Sequence, residues 1–306
     1  MRTSHLAALS AALLCLLSLP ALADLNVVTT VPDLAALAKA VGGDKATVTS
    51  LSLPTQDPHF VDAKPNLVVQ LNRADLLIAV GLELELGWLP TLQQGARNAR
   101  IHTGNPGFLD ASQLVKVLDV PTGQVDRSQG DVHPRGNPHY LYDPRSALAV
   151  ARGIAARMEQ LDPKNAATYR ANVEKFSAEL EKARAGWEQR LAGLKGTPIV
   201  SYHKTTLYLA DWLGFSAFAF LEPKPGIPPN PAHVAKVLTL ARTKKARFVI
   251  QEDFYPDPNS RFVAGKIPAP LVLIPGGTDF RGGETYVQNM EQLVKALEQG
   301  LAGKGS

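Results

Sequence analysis

The chain has 306 residues, of which 45% are hydrophobic and 20% charged, a balance that supports a packed core and excludes a wholly disordered polymer. Its length suits two domains or one large one. Lys and Arg number 32 against 28 Asp and Glu, and this net charge of +4, with aromatics not interleaved into a basic stripe, excludes a nucleic-acid footprint.

Arg2 precedes an apolar run from Leu6 to Leu19, broken only by Ser10 and Ser18, and then Pro20 and the small-x-small triplet Ala21-Leu22-Ala23. This is the pattern of a secretory signal peptide over residues 1–23, cut after Ala23. The run is shorter than the roughly 20 residues of a spanning helix. Cys15, the single cysteine, falls inside it, so a chain starting at Asp24 has no thiol for catalysis, disulfides or metal binding.

Apolar runs at Leu25 to Thr30, Thr47 to Leu53 and Leu76 to Val80 read as buried strands. Helices fit Pro32 to Val41 and Pro65 to Arg73, each with proline in its first turn. Gly123 to Pro138 is a polar loop, after which Asp143-Pro144 opens a helix to about Leu161. From Lys164 to about Leu194 a long helix carries Val173, Phe176, Leu180, Ala183 and Trp187 on one face, as a connector between lobes or as a further core helix. Beyond Gly196 come a strand at Pro198 to Ser201, a helix at Thr205 to Leu213, a helix capped by Asn230, strands at Arg247 to Gln251 and Leu271 to Ile274, and a closing helix from Tyr286. Strand-helix alternation implies α/β lobes with parallel sheets, at 24–143 and 197–306, joined through a helical connector at 144–196. No sequence repeat is evident.

Ligands of parallel α/β domains bind beyond the carboxyl ends of strands. His59, His139 and His203 fall in such loops, within Asp57-Pro58-His59-Phe60, Asn137-Pro138-His139-Tyr140 and Tyr202-His203-Lys204, while Glu252-Asp253 and Asp279 follow later strands. Neutral imidazoles with a carboxylate make the usual cysteine-free zinc set. His102 and His233 read as a strand-end and a helix-start polar residue, and His133, beside Asp126 and Asp131, reads as solvated. There is no G-x-S-x-G elbow, phosphate loop or dinucleotide fingerprint. Gly276-Gly277 and Gly282-Gly283 read as turns.

The stretch Gln56-Asp57-Pro58-His59, then Lys64-Pro65 and Asn72 to Glu85, resembles the metal-binding solute receptors of zinc and manganese ABC importers. Asn137-Pro138-His139-Tyr140 with Asp143-Pro144 is similar to the second ligand motif of that family, His203 to the third, and Phe248 to Glu252 to the strand that ends in its acidic residue. The resemblance covers nearly all of the chain after residue 23. It implies two lobes bridged by one long helix, a metal in the cleft, and a periplasmic monomer that delivers the ion to a membrane permease driven by a separate ATPase. It makes His59, His139 and His203 the ligands and favours Zn2+ over Mn2+, because manganese members usually carry a carboxylate in the third position. The aspartate that many members place on the late strand falls on Ile274 here, so Glu252, Asp279 or a water completes the tetrahedron, Glu252 first. A secreted three-histidine zinc hydrolase with Glu252 as general base is the alternative function, and a metal-free receptor for an organic solute is a third.

Overall fold

The computed structural model describes residues 24–123, 130 and 132–305; the expected signal segment lies outside them. Four parallel strands, β1 (Leu25–Thr29), β2 (Ala46–Ser50), β3 (Leu76–Ala79) and β4 (Phe108–Asp110), form one sheet in the order β2-β1-β3-β4. Strands β5 (Pro198–Ser201), β6 (Ser216–Phe220), β7 (Val249–Glu252) and β8 (Leu271–Ile274) form the second, in the order β6-β5-β7-β8. Both sheets therefore have the same topology, with the first strand of each lobe inside and its second strand at an edge. Central strands such as Leu-Leu-Ile-Ala at β3 are buried at every position, as expected when helices cover both faces.

Helices α1 (Pro32–Gly42), α2 (Pro65–Arg73) and α3 (Leu89–Ala96) pack around the first sheet, and α6 (Leu207–Leu213), α7 (Pro231–Thr243), α8 (Pro258–Lys266) and α9 (Tyr286–Leu301) around the second. The connector holds α4 (Pro144–Leu161) and α5 (Ala166–Arg190). At 25 residues α5 is roughly 37 Å long. The helix expected from Lys164 to about Leu194 is shortened by 3-10 turns at Pro163–Asn165 and Ala192–Leu194. It touches α4 and α1 on the first lobe and α9 on the second, burying Tyr169, Val173, Phe176, Leu180 and Trp187. Connector and core helix are thus the same element. Near its end the Trp187 indole donates to Glu291, and Arg190 pairs with Glu291 and Glu298 of α9.

One contiguous apolar cluster runs from Leu25 and Leu34 through Tyr140, Ile154, Phe176 and Trp187 to Phe248 and Leu297, so the lobes share a core. Each lobe adds a smaller cluster on its outer face. Beyond β8, the turn at Gly276-Gly277 rests on the first lobe. Asp33, in the first turn of α1, accepts hydrogen bonds from the Thr278 amide at 3.2 Å and the Thr278 hydroxyl at 2.7 Å. A Cβ on Gly276 would meet the Phe254 ring and the Pro54 carbonyl. Gly276→Ala is therefore expected to destabilise the protein by about 1–3 kcal/mol, read from the urea midpoint, through overpacking between the lobes.

Candidate metal centre

The two Asx-Pro-His sequences owe their form to the turn each makes. The Asp57 carboxylate accepts from the His59 amide at 3.0 Å, and the Asn137 amide oxygen accepts from the His139 amide at 2.9 Å. Each is an Asx turn in which proline at the intervening position helps fix the backbone. Asp57 also binds the His59 ring, Nδ1 to Oδ1 at 2.6 Å. Asn137 reaches across to the second lobe instead, donating to the Lys204 carbonyl, while its own carbonyl accepts from the Tyr208 hydroxyl at 2.8 Å. His203 follows β5 directly, and its Nδ1 lies 2.5 Å from Glu222 Oε2.

Among the described residues, His59, His139 and His203 offer ring nitrogens that all lie within 4.8 Å of one another. The His139 and His203 Nε2 atoms are 3.1 Å apart. His133, expected from its polar surroundings to be solvated, is instead part-buried against this group. Its Nε2 is 3.2 Å from His59 Nε2 and its Nδ1 is 2.9 Å from the Leu82 carbonyl. Zinc–nitrogen bonds of about 2.0–2.1 Å give a tetrahedral edge of about 3.3 Å, close to both nitrogen pairs.

Three of these rings have Nδ1 committed, to Asp57, Glu222 and the Leu82 carbonyl. A ring that donates its Nδ1–H presents a lone pair at Nε2. His59 and His133 therefore face each other lone pair to lone pair, an arrangement that a shared cation makes favourable. Glu222 was missed by the sequence reading, since nothing local links it to a histidine 19 residues earlier.

Glu252 ends β7 fully buried but outside the close nitrogen group, and neither of its carboxylate oxygens has a hydrogen-bond partner among the described residues. Burial pushes its carboxyl up to about 7. Asp279 is exposed and accepts from the Gly282 amide, away from the histidines. His233 stands in the first turn of α7, as expected, with its ring against the Phe220 carbonyl.

Burial, with repulsion from His203, His59 and His133, holds His139 well below the ordinary imidazole range. Burial and the neighbouring His59 push His133 down to about 3. Both rings are thus neutral in the fold at pH values where the unfolded chain, near 6.5, takes up protons. Their contribution to stability is full above about 6.5 and is lost as pH falls toward 3. The metal-free protein should accordingly melt at progressively lower temperature from pH 7 to pH 5, and His133→Asn should flatten that slope; an unchanged slope would contradict it.

The cavity beside His59, His139, Tyr142 and Thr205 measures about 50 Å³. This is room for an ion and a few waters, against the roughly 300 Å³ or more of a small-molecule site. A wider cleft of about 750 Å³ opens outward past His59 and His133 between Phe60, Leu86 and Ile227.

The zinc-binding lipoprotein AdcA of Streptococcus pneumoniae is 24% identical over 287 residues, 90% of this chain and 55% of its own length. The manganese ABC transporter substrate-binding lipoprotein ScaA of Streptococcus gordonii is 30% identical over 159 residues, 51% of this chain and 48% of its own. The chain spans about half the length of these curated relatives. In fold it is similar to a zinc-bound ZnuA deletion mutant, with a TM-score of 0.76 and 21% identity, covering 93% of this chain and all of that one. The sequence profile of ZnuA, zinc-uptake complex component A, periplasmic, matches residues 27–300, and the chain, with its paired parallel sheets and converging histidines, belongs to that family of metal-importer binding proteins.

Proposed function

We propose that the chain is an extracytoplasmic receptor that holds Zn2+ through His59, His139 and His203, with His133 at the fourth position, and hands it to an ABC importer. The observation that carries this reading is the all-nitrogen donor group, whose Nδ1 atoms are tied back by Asp57 and Glu222. Imidazole suits zinc, copper and nickel, whereas manganese prefers oxygen ligands. AdcA, named for zinc, supports the same choice, and ScaA, named for manganese, makes it a matter for measurement.

The receptor acts in the periplasm as a monomer after loss of residues 1–23, and its partners are a membrane permease and an ATPase subunit. It is a binding protein rather than an enzyme, a reading supported by the match to a zinc-uptake component over residues 27–300. A core continuous between the lobes opposes large hinge rotation, so release proceeds by local movement of ligand-bearing loops.

Glu252 is the second reading for the fourth ligand, because buried carboxylate oxygens without partners are what an ion would satisfy. The experiment is a competition titration of chelator-stripped protein with zinc and manganese, on wild type, His133→Ala and Glu252→Gln. Zinc should bind at least about 100-fold more tightly than manganese, and His133→Ala should lose more zinc affinity than Glu252→Gln. Equal affinity for the two metals sinks the zinc assignment, and the reverse order of the two variants gives the fourth position to Glu252.

A further inference from the structure

The segment from Val80 to Trp88 touches three of the ligand-bearing stretches. The Val80 carbonyl accepts from the Tyr140 hydroxyl at 2.7 Å, next to His139. The Trp88 indole donates to the Pro58 carbonyl at 3.0 Å, next to His59. The Leu82 carbonyl meets His133 Nδ1 at 2.9 Å. Between these contacts the backbone takes a costly form: Gly81, Leu82 and Glu83 are consecutively left-handed, with φ of 83°, 53° and 70°. Two of the three carry a Cβ, for which this region is disfavoured, and such departures gather at functional sites.

What holds the turn is Glu85, only 4% exposed. Its Oε1 accepts from the Val80 amide at 2.7 Å and from the Thr30 hydroxyl at 2.6 Å, and its Oε2 accepts from the Gly81 amide at 3.1 Å. One carboxylate thus gathers the amides of Val80 and Gly81 at the end of β3, the first of them shared with the Thr30 hydroxyl oxygen at 3.3 Å, and the chain must turn sharply to return from Gly81 to Glu85. That turn aims the Leu82 carbonyl outward at His133. Without that carboxylate the turn is expected to relax toward right-handed backbone, which would carry the Leu82 carbonyl away from His133.

We propose that Glu85 is a positioning residue for the metal centre, acting through the left-handed turn at Gly81–Glu83 and the Leu82 carbonyl to fix the ring of His133 with Nε2 facing the ion. The assignment rests on the reading of His133 as a ligand. Among the described residues Glu85 makes no hydrogen bond to a histidine of the centre; its influence on the ion passes through one carbonyl and one ring nitrogen.

The test is a double-mutant cycle on the full chain with Glu85→Gln, His133→Ala and the double variant, reading zinc affinity by chelator competition and the visible spectrum of the Co2+-loaded protein. Glu85→Gln should weaken zinc by about 10–100-fold, the range for partners that orient a ligand. It should dim the Co2+ bands to the level of His133→Ala, and the double variant should bind no worse than His133→Ala alone. Equal losses from Glu85→Gln in wild-type and His133→Ala backgrounds, or an unchanged Co2+ spectrum, would overturn the proposal while leaving His133 a ligand. Wild-type affinity and spectrum in His133→Ala would instead sink the ligand reading and this proposal together. If Glu85→Gln fails to fold, Thr30→Val removes one donor to the same carboxylate and should shift the Co2+ spectrum in the same direction; no shift there overturns the assignment.

Discussion

Replacing His203 by alanine is expected to weaken zinc binding by about 100-fold. Zinc sites with four protein ligands bind with roughly 10–16 kcal/mol, so one ligand accounts for about 3 kcal/mol, and each 1.4 kcal/mol is tenfold. His203 is a severe case because it is buried, and Glu222, its partner at 2.5 Å, loses the imidazole while staying out of water. Among the described residues the Gly226 amide, at 3.1 Å, still donates to that carboxylate. Isothermal titration of metal-stripped protein, with a melt to confirm folding, reads the effect. A loss below tenfold with the fold intact would show that His203 is not a ligand. Glu222→Gln, which keeps the shape but removes the charge that orients the ring, should fall between wild type and His203→Ala.

Trp187→Ala is expected to cost about 3–5 kcal/mol of stability, the range for deleting a large aromatic from a core. Trp187 is 2% exposed, its indole donates to Glu291 at 2.8 Å, and its ring lies edge-on to Trp212 at 6.3 Å. It therefore ties α5 to α9 and to α6 at once, where the connector meets the second lobe. Against a total stability of roughly 5–15 kcal/mol this is a large fraction. Urea unfolding of the metal-free protein should show it as a lowered midpoint, with Trp187→Phe much milder. A cost below about 1 kcal/mol would mean that α5 contributes little to holding the lobes together. Zinc affinity measured well below the melting point should change little, because no histidine of the centre touches Trp187.

The regular elements were legible where their apolar pattern was long or continuous. Leu271–Ile274 and Pro65–Arg73 match their expected bounds, and the helix opened by Asp143-Pro144 ends at Leu161 as read. Four elements went unread: β4, with three residues, β6, whose Ser-Ala-Phe-Ala-Phe run is only partly buried, and α3 and α8. Length does not separate them from the elements that were read, since α8 has nine residues like Pro65–Arg73 and β6 has five against four in Leu271–Ile274; β6 lacks a continuous buried run, so its local pattern carries little signal. Two similar lobes were expected, but the strand order within each sheet was invisible, since packing rules constrain it without requiring similar residues.

The chemistry of the site was partly local as well. The Asx-Pro-His spacing at Asp57 and Asn137 builds a turn within three residues, so its meaning could be read directly. His133 and Glu222 had no such frame. His133 sits in a polar stretch and finds its place through the Leu82 carbonyl, 51 residues earlier, and Glu222 through a histidine on a different strand end.

Composition and pattern alone determined that residues 24–306 carry no thiol and that any tight metal site there draws on imidazole or carboxylate, and they pointed to parallel, helix-covered strands. Only the tertiary structure decided that His133 joins His59, that Asp57 and Glu222 take the Nδ1 positions, and that Asp279 faces solvent. Donor type belongs to each side chain and survives in any conformation. Donor geometry depends on where strand ends from two lobes meet, a sum of long-range packing that no local spacing records.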